Sequence, residues 1–600
     1  MGTIDYAIIF VYLSAMIFVG ALFQRKASSG VDEYFLGGKK IPWWALGASG
    51  MSSNFDVSGT MINTALVYAL GAAGFFIEIR GGMVLTMAFF LAFMGKWNRR
   101  SRAMTMAEWM RLRFGDGKEG KIAQLLCAVA VLLTTVGIVA YFAVGGGKFV
   151  GEFLGVPALF GLPSRFWAAA LMIALAMIYT VASGLRGVVW TDVFQGVLIF
   201  ATIVIVCGIA FATVDLPAAF DVSVPLRDGG YREIQTTAAE WTDLTPSWTL
   251  DVPEDSSYAI YHLFGLSILF YLIKTFVEGA GGTGGYMAQR FFAARSDREA
   301  GLISMFWIFL LSFRWPFVVA IAMMAIMIGV ESGAAIQDPE AALPIVVNTV
   351  VPVGLRGLLV AGLTAAAMST FDSIVNSGAS YWVRDVYQSF LKPDADERRL
   401  VRQSRVSSVV IVAVGLVSTL WIESVNEIWM WLTMSMGAGL VVPLLVRWYW
   451  ERLNGYGFAT GVAAGMAAAI GQKLWYADAP EYASFLLAGG ASFAGCLVGS
   501  ALTARTPSEV IDKFYAITRP FGVWRGARSR IGEERVAQIA AENRRDLLSL
   551  AFALPWQITI FMVGMAFMLK RWDYFAGLGA LFLALSAGLY FFWYRRLSDE

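Results

Sequence analysis

The chain has 600 residues, 58% of them hydrophobic and only 15% charged, with a formal net charge of +2 and a mean hydropathy of +0.63. That composition excludes an ordinary soluble protein and points to a helical membrane protein that crosses the bilayer many times. A single histidine, His262, excludes His-rich metal centres, and Cys127, Cys207 and Cys496 sit in apolar runs as packing residues rather than a disulfide framework.

Apolar runs near the ~20 residues that cross hydrocarbon recur along the chain. Fifteen are predicted, at 5–22, 42–70, 71–95, 122–150, 165–183, 188–213, 258–283, 301–329, 355–384, 405–422, 424–446, 457–475, 483–503, 550–569 and 574–594. The first begins almost at once and lacks a basic leader, so no cleavable signal peptide is expected. Segment 96–121 carries eight Lys/Arg against three acids, 385–404 is rich in arginine, and 504–549 holds nine Lys/Arg. Segment 214–257 carries nine acids against Arg227 and Arg232. Basic loops belong in the cytoplasm, so the N-terminus is expected outside and the C-terminus inside, with Lys570-Arg571 alone on the wrong side. The outer loop 214–257 reads as a small cap, and 504–549 as an amphipathic helical linker.

Two runs are interrupted. In 42–70 the stretch Gly50-Met51-Ser52-Ser53-Asn54-Phe55-Asp56-Val57-Ser58-Gly59-Thr60 is polar and glycine-flanked at mid-span. In 258–283 the end, Glu278-Gly279-Ala280-Gly281-Gly282-Thr283-Gly284-Gly285-Tyr286, carries five glycines, which lower helix propensity sharply. Unwound backbone at membrane depth is tolerated where it is buried in protein or lines a cavity. These are the first helices of two successive five-helix blocks, 42–213 and 258–446. An odd helix number inverts the second block, and broken first helices in inverted repeats mark a secondary transporter with a midplane site. Segment 1–41 adds one helix and a loop before the blocks, and 447–600 adds four after them.

The helix 355–384 contains Ala365-Ala366-Ala367-Met368-Ser369-Thr370-Phe371-Asp372-Ser373. Small and hydroxyl residues let helices pack closely, which accounts for the alanines but not for Asp372. Ionisable residues in a bilayer line ion or substrate paths, and these oxygens are hard ligands suited to a small cation.

Four stretches carry a resemblance. They are Asp32-Glu33-Tyr34-Phe35-Leu36-Gly37-Gly38 with Pro42-Trp43-Trp44, then Gly184-Leu185-Arg186-Gly187-Val188-Val189-Trp190-Thr191-Asp192-Val193-Phe194-Gln195, then Gln289-Arg290-Phe291-Phe292-Ala293-Ala294-Arg295-Ser296, and finally Gly362 through Ser377. In this order and at these helix ends, the chain resembles the sodium:solute symporter family over roughly 5–450. The resemblance implies an all-α LeuT-type fold, two inverted five-helix repeats with extra helices at both ends, and sodium-driven uptake of a small solute. It implies a main sodium site at the carbonyls of Ser52 and Phe55, with Ala366, Ser369 and Thr370 opposite. It also implies a second ion site at Asp192, Ser369, Asp372 and Ser373, where Asp372 departs from the hydroxyl of two-sodium relatives and leaves that ion's presence and identity open. Asp192 has the alternative of a structural pair with Arg186.

By register with sugar-transporting relatives, Glu78, Asn426, Thr135 and Tyr286 fall at substrate positions, with Tyr286 as the inner-gate aromatic. Asn54 matches a functional position in the first break, and Asp56 is either a direct ligand or a cap on the second half-helix. Gly59 and Gly81 replace polar contacts. Arg80, Lys274 and Glu278 have no counterpart: Lys274 and Glu278 suit a neutralising pair one helical turn apart, or the two cations suit an acidic substrate. Arg314 is either a partner for an acid or a further intramembrane cation.

Sodium-coupled symport of a sugar, polyol or sugar acid is therefore the leading expectation. Proton coupling through Asp372 or Asp56, and a solute sensor acting through a separate partner, are the alternatives. No nucleophile–base pair or phosphate-cradling motif is present, so an enzyme is not expected, and neither is a nucleic-acid partner. A monomer in the cell membrane, the inner membrane if bacterial, is the expected functional unit.

Overall fold

The computed structural model describes residues 1–27, 31–282, 285–422, 424–476 and 479–597. Thr283 and Gly284 of the second expected break, and the side chains of Asp32 and Glu33, lie outside the described residues. Among those described, ten helices are long and apolar enough to cross a membrane, and Thr3–Met16, Val57–Leu70 and Ser164–Ile178 are shorter apolar helices.

The first break lies at Phe55–Asp56, between helix Trp43–Asn54 and helix Val57–Leu70. Asp56 is extended (φ −76°, ψ 155°) and its carboxylate accepts from Gly59 N, capping the second half-helix. The last bond of the inner half runs from Phe55 N to Met51 O and the first of the outer half from Thr60 N to Asp56 O. The carbonyls of Ser52 through Phe55 therefore fall outside both helical ladders. In the second break, helix Phe264–Gly281 ends at Gly282 (φ +76°) and the chain resumes as helix Gly285–Phe292.

The run 71–95, expected as one uninterrupted span, is broken too. A tight segment Ala72–Arg80 turns through Gly81–Leu85 before helix Thr86–Phe89 continues into Gly95–Arg100. Glycine is required where Ser164–Thr213 changes direction: Gly184 has φ +59°, and a Cβ there would lie 2.7 Å from Tyr34 O.

Helices Trp43–Asn54, Val57–Leu70 and Leu355–Ser380 are buried along almost their whole length and form the centre of the bundle. Helix Phe264–Gly281 is amphipathic in the inverted sense that lipid demands. Leu266, Leu269, Ile273 and Phe276 are exposed, while Tyr271, Lys274 and Thr275 are buried. Val406, Val409, Val410, Val414 and Val417 form a similar exposed apolar stripe on helix Glu397–Ser418. Helix Trp572–Phe592 buries only Leu589 and lies at the periphery.

One departure from the all-helical expectation occurs in the outer loop. Strands Ala219–Pro225 and Tyr231–Thr237 pair antiparallel with Val222 opposite Ile234. The cap is fixed to the core where Trp241 Nε1 donates to Tyr68 O at 3.1 Å. The linker forms helices Ser508–Thr518 and Arg525–Arg530, then runs directly into the long helix Glu533–Met568. Arg113 is sandwiched there by Phe114, Phe514 and Trp524, and donates to the carbonyls of Arg447 and Leu453 at 3.1 Å.

Candidate functional site

Three neighbouring polar groups surround the first break. The first is a cage of hydroxyls around Asp192. Its carboxylate accepts from Ser49 Oγ at 2.5 Å and Ser369 Oγ at 2.6 Å, with Ser373 Oγ at 3.5 Å. The Arg290 guanidinium enters the same cage. Its Nη2 lies 2.7 Å from both Ser49 Oγ and Ser53 Oγ, 2.9 Å from Ser373 Oγ and 3.3 Å from Asp192 Oδ2. Asp192 and Arg290 are both 0% exposed. A buried carboxylate needs a counter-charge and hydrogen bonds, and arginine supplies several directed donors at once. Asp372 is buried beside this cage, its Oδ1 3.5 Å from Ser373 Oγ.

Helix Leu355–Ser380 faces the freed carbonyls of the break. Ser53 Oγ lies 2.8 Å from Ser373 Oγ and 3.5 Å from Ser369 O, and Ser52 Oγ donates to Asp192 O at 2.9 Å. Thr370 Oγ1 donates to Ala366 O at 3.0 Å. Ser52, Phe55, Ala366, Ser369 and Thr370 are all buried, on elements packed against one another. This oxygen-rich, water-excluded setting is chemically fit for a small hard cation.

The second group lines a cavity of about 30 Å³ on the Val57–Leu70 side of the break. Asn54, Asp56 and Glu78 are in its wall, with Tyr141, Arg314 and Trp429. Tyr141 OH donates to Asp56 Oδ1 at 3.2 Å and its ring lies 5.1 Å from that of Trp429. Arg314 Nη1 donates to Asn54 O at 3.1 Å. Asn63, with its amide turned to satisfy its neighbours, donates to Glu78 Oε2 at 3.0 Å and accepts from Arg314 Nε at 3.2 Å. Gly59 is where a polar side chain was expected to be missing, and the reason is local: a Cβ there would come within 2.6 Å of Arg314 Nη2. Tyr286 joins cavity to cage, because its OH accepts from Asn54 Nδ2 at 2.8 Å and its carbonyl accepts from Arg290 Nη1 at 3.0 Å.

The third group lies beside Glu78 and takes up the unmatched cations. Arg80 donates to Glu481 Oε1 at 2.7 Å, Tyr261 OH at 2.8 Å and Asn426 Oδ1 at 2.6 Å, and lies 3.1 Å from Glu78 Oε1. Tyr271 OH donates to Glu481 Oε2 at 2.5 Å. Lys274 Nζ donates to Glu278 Oε1 at 2.7 Å and to Arg80 O at 2.5 Å. Arg80, Lys274, Glu278 and Asn426 are therefore engaged with one another's neighbourhood and are not in the cavity wall. Thr135 is not in it either: its hydroxyl donates to Val131 O at 2.7 Å and its methyl packs against Gly378.

Sequence reasoning did not single out Ser49, Ser53, Arg290, Tyr141, Trp429 or Glu481 as site residues. Arg290 had a signal, since a buried aspartate at 192 demands a cation and Arg290 stands in one of the four quoted stretches. Glu481 had the matching signal in reverse, an acid at the start of an apolar run.

The sodium:solute symporter family model matches residues 34–465. The sodium/glucose cotransporter 4 of Danio rerio is 27% identical over 498 residues, covering 77% of this chain and 70% of that protein. The sodium/sialic acid symporter SiaT of Proteus mirabilis is 25% identical over 496 residues, covering 79% and 90%. A solved structure of a Na⁺-coupled sialic acid symporter, substrate-bound and outward-open, shares the fold at a TM-score of 0.66 and 21% identity, over 84% of this chain and 99% of that one. The family model spans far more than half of the chain, and the buried oxygen sites lie inside it: this chain belongs to the sodium:solute symporter family, and is a sodium-coupled multi-pass membrane transporter rather than an enzyme.

Proposed function

We propose that the chain carries a small polar organic solute, a sugar, polyol or sugar acid, into the cell with sodium by alternating access. The observation that carries this reading is the series of contacts Asn54–Tyr286–Arg290–Asp192, made through the Tyr286 hydroxyl on one side and its carbonyl on the other, which joins the cavity to the oxygen cage. Relatives named for glucose, mannose, sialic acid and myo-inositol support the solute class. The core is two inverted five-helix repeats of LeuT type within fifteen spans, the N-terminus outside and the C-terminus inside. It acts as a monomer in the cell membrane, the bacterial inner membrane by preference.

Sodium binds at the carbonyls of Ser52 and Phe55 with Ala366, Ser369 and Thr370. A second ion at Asp192, Ser369, Asp372 and Ser373 is conditional on Arg290 leaving the cage. Asn54, Asp56, Glu78 and Tyr286 contact the solute, joined by Arg314, whose charge favours an acidic sugar. Arg80, Lys274, Glu278 and Asn426 hold the outer wall. Each ligand raises the other's affinity by the same factor, because both stabilise one arrangement of the break.

The test uses purified protein in liposomes. A sodium gradient alone should drive accumulation of one solute from a panel of sugars, polyols, sugar acids, amino acids and small carboxylates. Accumulation driven by a proton gradient in the absence of sodium would move the coupling to Asp372 or Asp56. Binding without accumulation under either gradient would leave a sensor.

A further inference from the structure

The basic end of the bundle holds a cleft of about 760 Å³ whose lining includes none of the residues assigned above to sodium or solute. Six cations line it: Lys39, Arg99, Arg100, Arg102, Arg295 and Arg519. Asp297 is the one carboxylate in its wall, where it accepts from Arg99 at 3.0 Å and from Arg100 at 2.8 Å. Glu542 reaches Arg100 at 2.7 Å and Arg519 at 3.6 Å from a neighbouring cavity, where it also holds Lys96 at 2.9 Å. Among the residues of the cleft wall itself, cations outnumber carboxylates six to one. Basic loops on the cytoplasmic side are common, but dispersed loop charges need not converge. Here four separate chain segments bring them to one cleft of the size that small ligands occupy.

A second observation is independent of charge. Among the described residues, six that are not glycine have a left-handed backbone: Lys39, Val84, Arg102, Phe160, Arg519 and Lys570. Three of these six line this cleft, at φ +53°, +55° and +56°. Such conformations favour glycine or asparagine, and side chains held in them gather at sites where they act. The sequence places long cations at these positions, and Arg102 and Arg295 are exposed toward solvent.

We propose that this cleft binds a phosphate-bearing anion. Arginine forks match phosphate oxygens two at a time, and the cleft lies at the helix ends, where either an anionic lipid headgroup or a soluble phosphate compound has access. Because Arg519 and Ile517 belong to the linker after the core, while Arg99 and Arg100 end helix Gly95–Arg100 of the core and Arg102 follows it, the bound anion would tie the linker to the transport bundle.

The experiment compares three purified proteins in uncharged detergent at fixed ionic strength: the wild type, Arg102→Asn with Arg295→Gln, and the control Arg398→Gln with Arg402→Gln. The control pair is exposed on helix Glu397–Ser418, outside the cleft. Asparagine suits the left-handed position, so the first change does not strain the backbone. Thermal stability is read against inorganic pyrophosphate and against phosphatidylglycerol, with phosphatidylcholine as the uncharged reference. The wild type and control should be stabilised by at least one anion, and the cleft variant should need about tenfold more of it or worse. Stabilisation by phosphatidylglycerol alone identifies a lipid headgroup; stabilisation by pyrophosphate as well identifies a soluble phosphate. Equal responses in all three proteins, or no response in the wild type, would overturn the proposal. Should the double variant fail to fold, Arg102→Asn alone takes its place, with the same criteria.

Discussion

Replacing Arg290 with glutamine gives the sharpest test of how the cage handles cations. The guanidinium makes contacts of 2.7 to 3.3 Å with three serine hydroxyls and Asp192, and all of these groups are buried. Removing one partner of a buried ion pair costs about 3–5 kcal/mol, because the other charge is left uncompensated. Asp192 keeps its hydrogen bonds from Ser49 and Ser369, at 2.5 and 2.6 Å, but no longer has this cation. In potassium the variant should carry that whole cost. In sodium the outcome should differ, since the vacated position is bounded by hard oxygens that suit a small ion. Sodium at about 100 times its dissociation constant returns about 2.7 kcal/mol.

The expected result is a variant whose thermal stability depends on sodium far more than the wild type's does, at constant ionic strength. The assay is unfolding of detergent-purified protein across a sodium series balanced with potassium. Equal destabilisation in both salts would refute the reasoning, because it would mean that the guanidinium is a structural cation with no competing ion. The lysine variant, Arg290→Lys, keeps the charge but loses the fork, and should fall between the two.

Three further expectations follow from the same geometry. Ser369→Ala or Thr370→Ala should raise the sodium concentration for half-maximal uptake about tenfold while leaving expression and folding intact; unchanged sodium dependence in both removes them from the ion site. Arg314→Gln should erode discrimination between a sugar acid and its neutral parent by about tenfold or more, measured as the ratio of uptake efficiencies; an unchanged ratio makes Arg314 only the partner of Asn54 and Asn63. Glu481→Ala should cost about 3 kcal/mol in stability because Arg80 is fully buried. The matching change at Glu427, paired with Lys473 and 55% exposed, should cost under about 1 kcal/mol.

Much of the helical fold was legible because a membrane makes the length of apolar runs decisive. The first break was legible for the same reason: Asp56 in an apolar run had to cap or bind something. It fell at Phe55–Asp56 rather than at the flanking glycines, which serve packing instead. Gly50 makes room for the Trp307 ring, and Gly59 for Arg314. The interruption at Gly81–Leu85 was not singled out, although two adjacent glycines follow Glu78 and Arg80 there; the tight segment Ala72–Arg80 just before it is what sets those two charges side by side. Charge partners were the least legible feature. Arg80 meets Glu481 across 401 positions and Arg290 meets Asp192 across 98, and neither contact leaves a local pattern. Local spacing found only the pair that lies on one helix, Lys274 with Glu278.

The cavity's size bears on the transport cycle. About 30 Å³ is room for a water or two, whereas pockets for small organic ligands measure about 300–1,000 Å³. If the cavity is the proposed solute site, it is closed here, and the groups on its two flanks are held with different strength. Toward the Asp192 cage, the cavity is flanked by a neutral hydrogen bond from Asn54 to Tyr286, and such a bond contributes about 1 kcal/mol net. On the opposite flank, beyond Glu78, Arg80 is held by two carboxylates, a tyrosine and an amide, and Lys274 is bonded to its backbone. Charge-assisted bonds of that kind are roughly twice as strong each. Under the proposed topology, the more weakly held of the two closures is the inward one. Uptake then requires a ligand that prefers the outward-open arrangement, and a ligand shifts an equilibrium only by its differential affinity. On the proposed assignment, sodium at the freed carbonyls of the first break, next to the helix that carries Ser369 and Thr370, supplies that difference, and Ser369→Ala or Thr370→Ala should weaken it.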